Sequence, residues 1–184
     1  MNLSEGTMIA MLADIGMKLS AIPALAGTGT GLTSNDYTLI NEFARDGDEW
    51  AIQWKYHLIP ANQFQQNPIV TQVCNIFSMW DRVMRDRAAL SATDQATLAT
   101  LIGPRFSAGT FRGFDFNNEP DHAHVANILI NKLNAFQYMG QAGCSNSHSP
   151  LLSKYLAMVA EYNLVIGDFP LTLNDLANII NATP

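Results

Sequence analysis

Helix start and stop signals recur along the whole chain, and they constrain its fold more than any other feature of the sequence. Two helices are expected to begin with a capping residue followed by proline, at Asn67-Pro68 and at Ser149-Pro150. Thr172, with Asp175 three residues later, forms a capping-box pattern before the last helix. Between these signals, apolar residues recur at spacings of three and four, which is typical of helices that bury one face. The pattern predicts an all-α, multihelical fold.

The length of 184 residues favours a single domain, for which we expect about eight helices and one long ordered loop. Residues 34–184 would form the helical domain, and residues 1–33 would add an N-terminal helix and a Gly/Thr-rich linker to the same fold. The long loop covers residues 105–118. Its four phenylalanines must pack on something, which favours an ordered loop: Phe106, Phe111, Phe114 and Phe116. A short hairpin in this loop would make the fold α+β, which is the alternative.

Three helices have bounds or faces that the residue pattern predicts in detail. The first carries an apolar stripe and is expected to end at Pro23. The second should be capped by Ser34, and a later helix should run from Asn118, as its cap, to about Tyr138. The stripe of the first helix consists of Met8, Met11, Leu12, Ile15, Leu19 and Ile22.

Charged residues make up only 14% of the chain, whereas apolar residues make up 48%. A helical protein with so few charges has apolar surface to cover, and association between subunits covers it. We therefore expect a homo-oligomer.

The net charge of −6 argues against nucleic acid as a partner, because an acidic surface repels the phosphate backbone. No run of about 18 apolar residues is present, so no membrane-spanning helix is expected. The N-terminal stretch has no basic residue before Lys18, unlike a secretory signal peptide. A cytoplasmic location is the expectation.

Three segments of the C-terminal half resemble the YfbU-like family of uncharacterised bacterial proteins. They are Phe111–Asp115, continuing through Asn117-Asn118-Glu119, then Asn146–Pro150, and the terminal helix of residues 173–182. The resemblance covers roughly residues 35–182 and fades before them. It implies a multihelical, intracellular and oligomeric protein. It implies no particular chemistry, because the family has no established enzymatic activity.

Two polar loops, around Asp115–Glu119 and Asn146–His148, lead into predicted helix starts, where free backbone N–H groups favour anions. If the fold brings the two starts together, their side chains could surround a small anionic or polar ligand. The alternative is that these residues serve only as helix caps. The candidate ligand-binding residues are Arg112, Asp115, Asn118, Glu119, Asn146, Ser147 and His148.

No catalytic residue, metal site or cofactor is identified from the sequence. His122 and His124 are two residues apart, so a helix would direct them away from each other and from one metal ion. Cys144 and His148 could form a nucleophile and its base, but this four-residue spacing in a loop is common by chance. No residue that would orient the histidine is identifiable from the sequence. The sequence therefore favours a non-catalytic protein with a regulatory or protein-interaction role. An enzyme or small-ligand receptor that uses the two polar loops is the alternative.

Overall fold

The computed structural model describes residues 4–20, 31–57, 67–102, 110–165, 167 and 170–184. Within these ranges the chain forms eight α-helices and no β-strand, so the predicted all-α, multihelical class is confirmed. The chain divides into two compact units, Met1–Gln66 and Asn67–Pro184. The domain division at residue 33 stays a prediction.

The first unit contains three helices: α1 (Glu5–Ser20), α2 (Ser34–Asp46) and α3 (Glu49–Tyr56). The cap of α2 is Thr33, not Ser34 as predicted. The Thr33 hydroxyl oxygen accepts from the backbone N–H of Asp36 at 3.3 Å, and the Asp36 carboxylate accepts from the backbone N–H of Thr33 at 2.9 Å. A capping box needs an acidic residue three positions after the cap. Of Thr33 and Ser34, only Thr33 has one, which is Asp36.

Helix α1 packs against α2 through small residues. Ala10 and Ala13 are buried, and a Cβ added to Gly6 would lie 2.8 Å from the backbone oxygen of Ala44. The side-chain amide of Asn41 on α2 donates to the backbone oxygen of Ala10 at 2.9 Å. Small side chains therefore let the two backbones approach closely and fix which face of α1 points inward.

The apolar stripe of α1 lies on the opposite, outward face. Leu12 is 67% exposed, Met11 54%, Ile15 52% and Met8 47%. The glycine and the alanines form the face against α2 because they allow closer packing than the long side chains would. The side chain of Leu19, together with Ile22 and the predicted end at Pro23, lies outside the described residues.

The second unit contains the other five α-helices, a π-helical turn and a 3-10 segment. In chain order they are α4 (Pro68–Ala89), α5 (Ala92–Ile102), α6 (Pro120–Asn127), the π turn Ile128–Lys132, the 3-10 segment Gln137–Cys144, α7 (Leu152–Leu164) and α8 (Leu173–Asn181). None of the helices in the described ranges is long and apolar enough to cross a membrane.

Helix α4 is the central element of this unit and begins as predicted. The Asn67 side chain accepts from the backbone N–H of Ile69 at 2.9 Å, and Pro68 occupies the first turn. Its inward face supplies fully buried side chains that include Phe77 and Trp80. Rings from the long loop and from α7 pack on these two: Phe111, Phe114 and Tyr155. The expectation that the loop aromatics pack is thus confirmed for Phe111 and Phe114, whereas Phe116 is exposed and Phe106 lies outside the described residues.

The helix expected to run from Asn118 to Tyr138 is interrupted. Helix α6 starts at Pro120, and a π-helical turn replaces the α-helix at Ile128. Ile128, Leu129 and Ile130 are all buried. Three consecutive buried residues do not fit one face of a straight α-helix, and the wider π turn accommodates them.

Candidate functional site

The two polar loops predicted from the sequence lie side by side in the second unit. An isolated parallel β-bridge joins Phe114 to Asn146, and the backbone N–H of Ser147 donates to the backbone oxygen of Phe114 at 3.1 Å. A hairpin within the first loop is not formed in its described part, residues 110–118, because this loop pairs with the second one instead. The arrangement meets the geometric condition for a shared site.

The close approach of the two loops depends on Gly113. Its φ of +87° lies in the left-handed region, and a Cβ added there would overlap the backbone oxygen of Ser145. A side chain at position 113 would therefore separate the loops as well as strain the backbone.

Tyr155 holds the backbone of the first loop through two hydrogen bonds. Its hydroxyl donates to the backbone oxygen of Gly113 at 3.2 Å and accepts from the backbone N–H of Arg112 at 3.4 Å. The side chain is fully buried, and its ring centroid lies 5.0 Å from that of Phe111. Burial raises the pKa of the Tyr155 hydroxyl, so the neutral, donating form prevails.

Glu119 connects the first loop to the start of α7. Its Oε1 accepts from the backbone N–H groups of Leu151 at 2.6 Å and Leu152 at 2.5 Å, and its Oε2 accepts from the backbone N–H of Asp115 at 2.8 Å. The side chain is only 5% exposed. The carboxylate thus satisfies N–H groups at a helix N-terminus that would otherwise favour an external anion.

This arrangement corrects the predicted start of α7. The sequence predicts Ser149 as the cap and Pro150 as the first helical residue, whereas α7 begins at Leu152 and Ser149 does not cap it. The acceptor comes from Glu119 in the other loop.

Asp115 holds the turn that leads into α6. Its Oδ2 accepts from the side-chain amide of Asn118 at 2.8 Å, and its Oδ1 accepts from the backbone N–H of Asn117 at 2.9 Å. These hydrogen bonds, that of Asn118 first, hold the pKa of the Asp115 carboxyl below its ordinary value, and the positive charge of His148 adds to the effect. Asn118 therefore binds Asp115, and the prediction that it caps α6 is wrong.

The second loop is held by its own side chains. The Asn146 side-chain oxygen accepts from the backbone N–H of His148 at 3.0 Å and from that of Phe116 at 3.3 Å. The buried Ser147 hydroxyl donates to the backbone oxygen of Ser149 at 2.7 Å. His148 is exposed, with a φ of +54°.

The two paired loops therefore carry all seven candidate ligand-binding residues. Asp115, Glu119 and Ser147 are buried and bind protein groups, whereas His148 and Asn118 are exposed. The side chain of Arg112, the seventh, is also exposed, and its backbone N–H is held by Tyr155. Sequence reasoning missed Gly113 and Tyr155; the glycine beside a bulky pair of phenylalanines was the one available signal.

The nearby histidines and cysteine do not add a reactive centre to this arrangement. His122 is buried, its Nε2 lies 2.8 Å from the side-chain oxygen of Gln72, and burial lowers its pKa. Burial raises the pKa of the Cys144 thiol, which disfavours the nucleophilic thiolate. Among the described residues, no group of three His, Cys, Asp or Glu side chains could hold a metal ion.

Residues 32–182 match the family model described as the YfbU domain. The chain belongs to the YfbU family. The match contains both polar loops, Gly113 and Tyr155, so the resemblance seen over residues 35–182 is confirmed. It does not contain α1, whose apolar stripe therefore belongs to the part of the chain outside the family match. Comparisons with curated proteins and with solved structures gave no match.

Proposed function

We propose that this YfbU-family member is a non-catalytic, homo-oligomeric protein with a regulatory or protein-interaction role. The observation that carries the proposal is the outward apolar face of α1. The α1 face consists of Met8, Met11, Leu12 and Ile15, each about half exposed or more.

An exposed face of this kind is unfavourable for an isolated subunit. The four side chains recur at spacings of three and four and so form one continuous strip on the helix. Contiguous apolar surface on a soluble protein marks an interaction site more often than single exposed residues do. Burying one leucine or isoleucine side chain completely gains about 1.5–3 kcal/mol, so a partner on this strip would be bound with useful affinity.

The non-catalytic part of the proposal is supported by how the polar loops use their side chains. Both carboxylate oxygens of Glu119 and both of Asp115 accept hydrogen bonds from protein groups. The Ser147 hydroxyl likewise donates within its own loop. A buried group that already satisfies the fold is poorly suited to exchange protons with a substrate.

Native mass spectrometry and light scattering of the wild type and of two variants test the proposal. We expect an oligomer for the wild type and a weaker one, by at least about tenfold in Kd, for L12Q/I15Q, because the apolar contacts are lost. L164Q is the matched control, since Leu164 is 76% exposed on α7 and lies outside the α1 face. A wild type that stays monomeric, or L12Q/I15Q that associates like L164Q, contradicts the proposal.

The alternative is a receptor or enzyme for a small anionic or polar ligand at the two loops. The observation that favours it is the pairing of the loops through Phe114 and Asn146, beside the exposed His148. The observation against it is the Glu119 carboxylate, which occupies the N-terminus of α7. A thermal-shift screen with phosphate, nucleotides and carboxylates decides: a rise in melting temperature that H148A abolishes supports the alternative, and no rise with any compound contradicts it.

A further inference from the structure

A cleft in the first unit lies between α1 and the corner where α2 ends and α3 begins. We propose that this cleft binds a small zwitterion whose ammonium and carboxylate groups are several bonds apart. Arg45 binds the carboxylate of this ligand, and Glu49 binds its ammonium group. The site goes beyond the proposed function, because neither the α1 face nor the two polar loops contain these two residues.

Small residues create the space of the cleft. Gly6, Ala10 and Ala44 line it, and all three are buried. A Cβ added to Gly6 would lie 2.8 Å from the backbone oxygen of Ala44, so the helices meet there without a side chain between them. The cleft has a volume of about 570 Å³, within the range of about 300–1,000 Å³ that is typical of small-molecule sites. It therefore has room for a small ligand.

Two charged side chains that line the cleft have opposite signs. Arg45 is exposed in the last turn of α2, and Glu49 is half-buried in the first turn of α3. The Glu49 Oε1 lies 2.5 Å from the position that a Cβ of Gly6 would take, so the carboxylate lies directly over the buried glycine. Within the part of the chain that the structure describes, neither side chain forms an ion pair. A half-buried carboxylate without a cationic partner favours an ammonium group from outside the chain.

The third charged residue among the described lining residues leaves this balance unchanged. Asp14 is paired with Lys18 of the same helix at 2.8 Å. One positive and one negative charge therefore remain for a ligand. A ligand with only a negative charge is repelled by Glu49, and one with only a positive charge is repelled by Arg45. A zwitterion is attracted by both, so it is the class of ligand that the cleft favours.

The two charges act on different parts of the cleft. Glu49 lies beside Gly6, whereas the positive charge of Arg45 acts on Asp14, eight residues later on α1. The pKa of the Asp14 carboxyl is below its ordinary value, first because of the hydrogen bond and charge of Lys18 and then because of Arg45. Eight residues of an α-helix span about 12 Å along its axis. A ligand that reaches both charges therefore has its own two charges several bonds apart.

Isothermal titration calorimetry with four compounds tests the class of ligand. On chains of the same length, ε-aminocaproate carries both charges, caproate only the negative charge and hexylamine only the positive charge. We expect ε-aminocaproate to bind at least about tenfold more tightly than the other two, because it alone contacts both Arg45 and Glu49. Glycine, whose two charges are close together, should bind as weakly as the single-charge compounds. The proposal is overturned if ε-aminocaproate does not bind at up to about 10 mM, or if any of the other three compounds binds equally well.

Two variants test which residue binds which end of the ligand. R45Q should weaken the binding of ε-aminocaproate about fivefold or more and remove its advantage over hexylamine, because the carboxylate has lost its partner. E49Q should weaken binding to a similar extent and remove the advantage over caproate. The controls are R85Q on α4 and E161Q on α7, which make the same chemical changes in the second unit and should bind like the wild type.

Circular dichroism and urea unfolding check that R45Q and E49Q keep their fold. Folded variants that bind ε-aminocaproate as tightly as the wild type overturn the proposal. If E49Q does not fold, R45Q and the comparison of the four compounds on the wild type decide. Calorimetry measures the binding of a small molecule, whereas native mass spectrometry measures association between subunits, so this site and the proposed function can fail separately.

Discussion

Glu119 and Leu151 lie 32 residues apart in the sequence, and the carboxylate of the first accepts a 2.6 Å hydrogen bond from the backbone N–H of the second. The same side chain also accepts from Leu152 and from Asp115. One buried carboxylate thus satisfies three backbone groups that belong to two loops. The stability of the second unit should depend strongly on it.

Replacing Glu119 by glutamine should reduce the free energy of unfolding by about 1–3 kcal/mol. Glutamine keeps the size of the side chain but has one acceptor oxygen for three N–H groups, and it lacks the charge that favours a helix N-terminus. Urea unfolding followed by circular dichroism measures the change. The control is E161Q, which makes the same chemical change on α7 at a half-buried position and should cost less than about 0.5 kcal/mol. Equal losses in the two variants would contradict the role assigned to Glu119.

Replacing Gly113 by alanine should destabilise the chain by more than about 3 kcal/mol, because the added Cβ would overlap the backbone oxygen of Ser145. Gly47 offers a matched comparison: its φ of +81° is similar, but nothing lies within 4 Å of an added Cβ. G47A should therefore cost only the left-handed strain, about 1–2 kcal/mol. Thermal unfolding of both variants checks the difference, and a G113A variant no worse than G47A would show that the loops can separate without cost.

Removing the hydroxyl of Tyr155 by Y155F should cost about 1–3 kcal/mol, because the backbone N–H of Arg112 loses its acceptor and the backbone oxygen of Gly113 loses its donor. The ring contacts are kept, so the effect reports the two hydrogen bonds. Y162F, on a half-buried tyrosine of the same helix, is the control and should change stability little. The free energy of unfolding in urea is the measurement, and a stability unchanged by Y155F would be the contrary result.

The buried His122 should make stability decrease as the pH falls below about 7. Burial lowers its pKa below the ordinary 6.5, so the unfolded chain takes up the proton first as the pH falls. The stability from the neutral imidazole is therefore complete above pH 6.5 and is lost as the pH falls through 6.5 towards the folded pKa. Unfolding free energies at several pH values should show this slope for the wild type and for H124N, whose residue is exposed, and a smaller slope for H122N. Identical slopes in all three proteins would contradict the prediction.

Signals confined to a few neighbouring residues predict the helices well. Asn67-Pro68 begins α4 as expected, and Thr172 with Asp175 forms the capping box of α8, with the backbone N–H of Asp175 donating to Thr172 at 3.2 Å. Both caps work through atoms within three residues of each other, so the sequence alone specifies them. The start of α7 could not be predicted in this way, because its acceptor, Glu119, comes from another loop.

The candidate site shows the same division between local and distant information. Two polar loops near helix starts are visible in the sequence, but the partner of each side chain depends on how the loops meet. Gly113 and Tyr155, which set that meeting, are 42 residues apart. The face that α1 buries could not be predicted for a related reason: a periodic apolar strip has the same pattern whether it faces the core or a partner, and the small residues that decide the packing carry little hydrophobic signal.

The cap that Glu119 gives to α7 also bears on the order in which the second unit folds. Helix α4 has its acceptor, Asn67, two residues from the N–H group that it satisfies, so its first turn can form early. The first turn of α7 receives its acceptor only after the chain between residues 119 and 151 has closed into a loop. Closing this loop costs conformational entropy, which slows the step. Substitutions at Asn67 should therefore slow refolding, whereas substitutions at Glu119 should mainly speed unfolding.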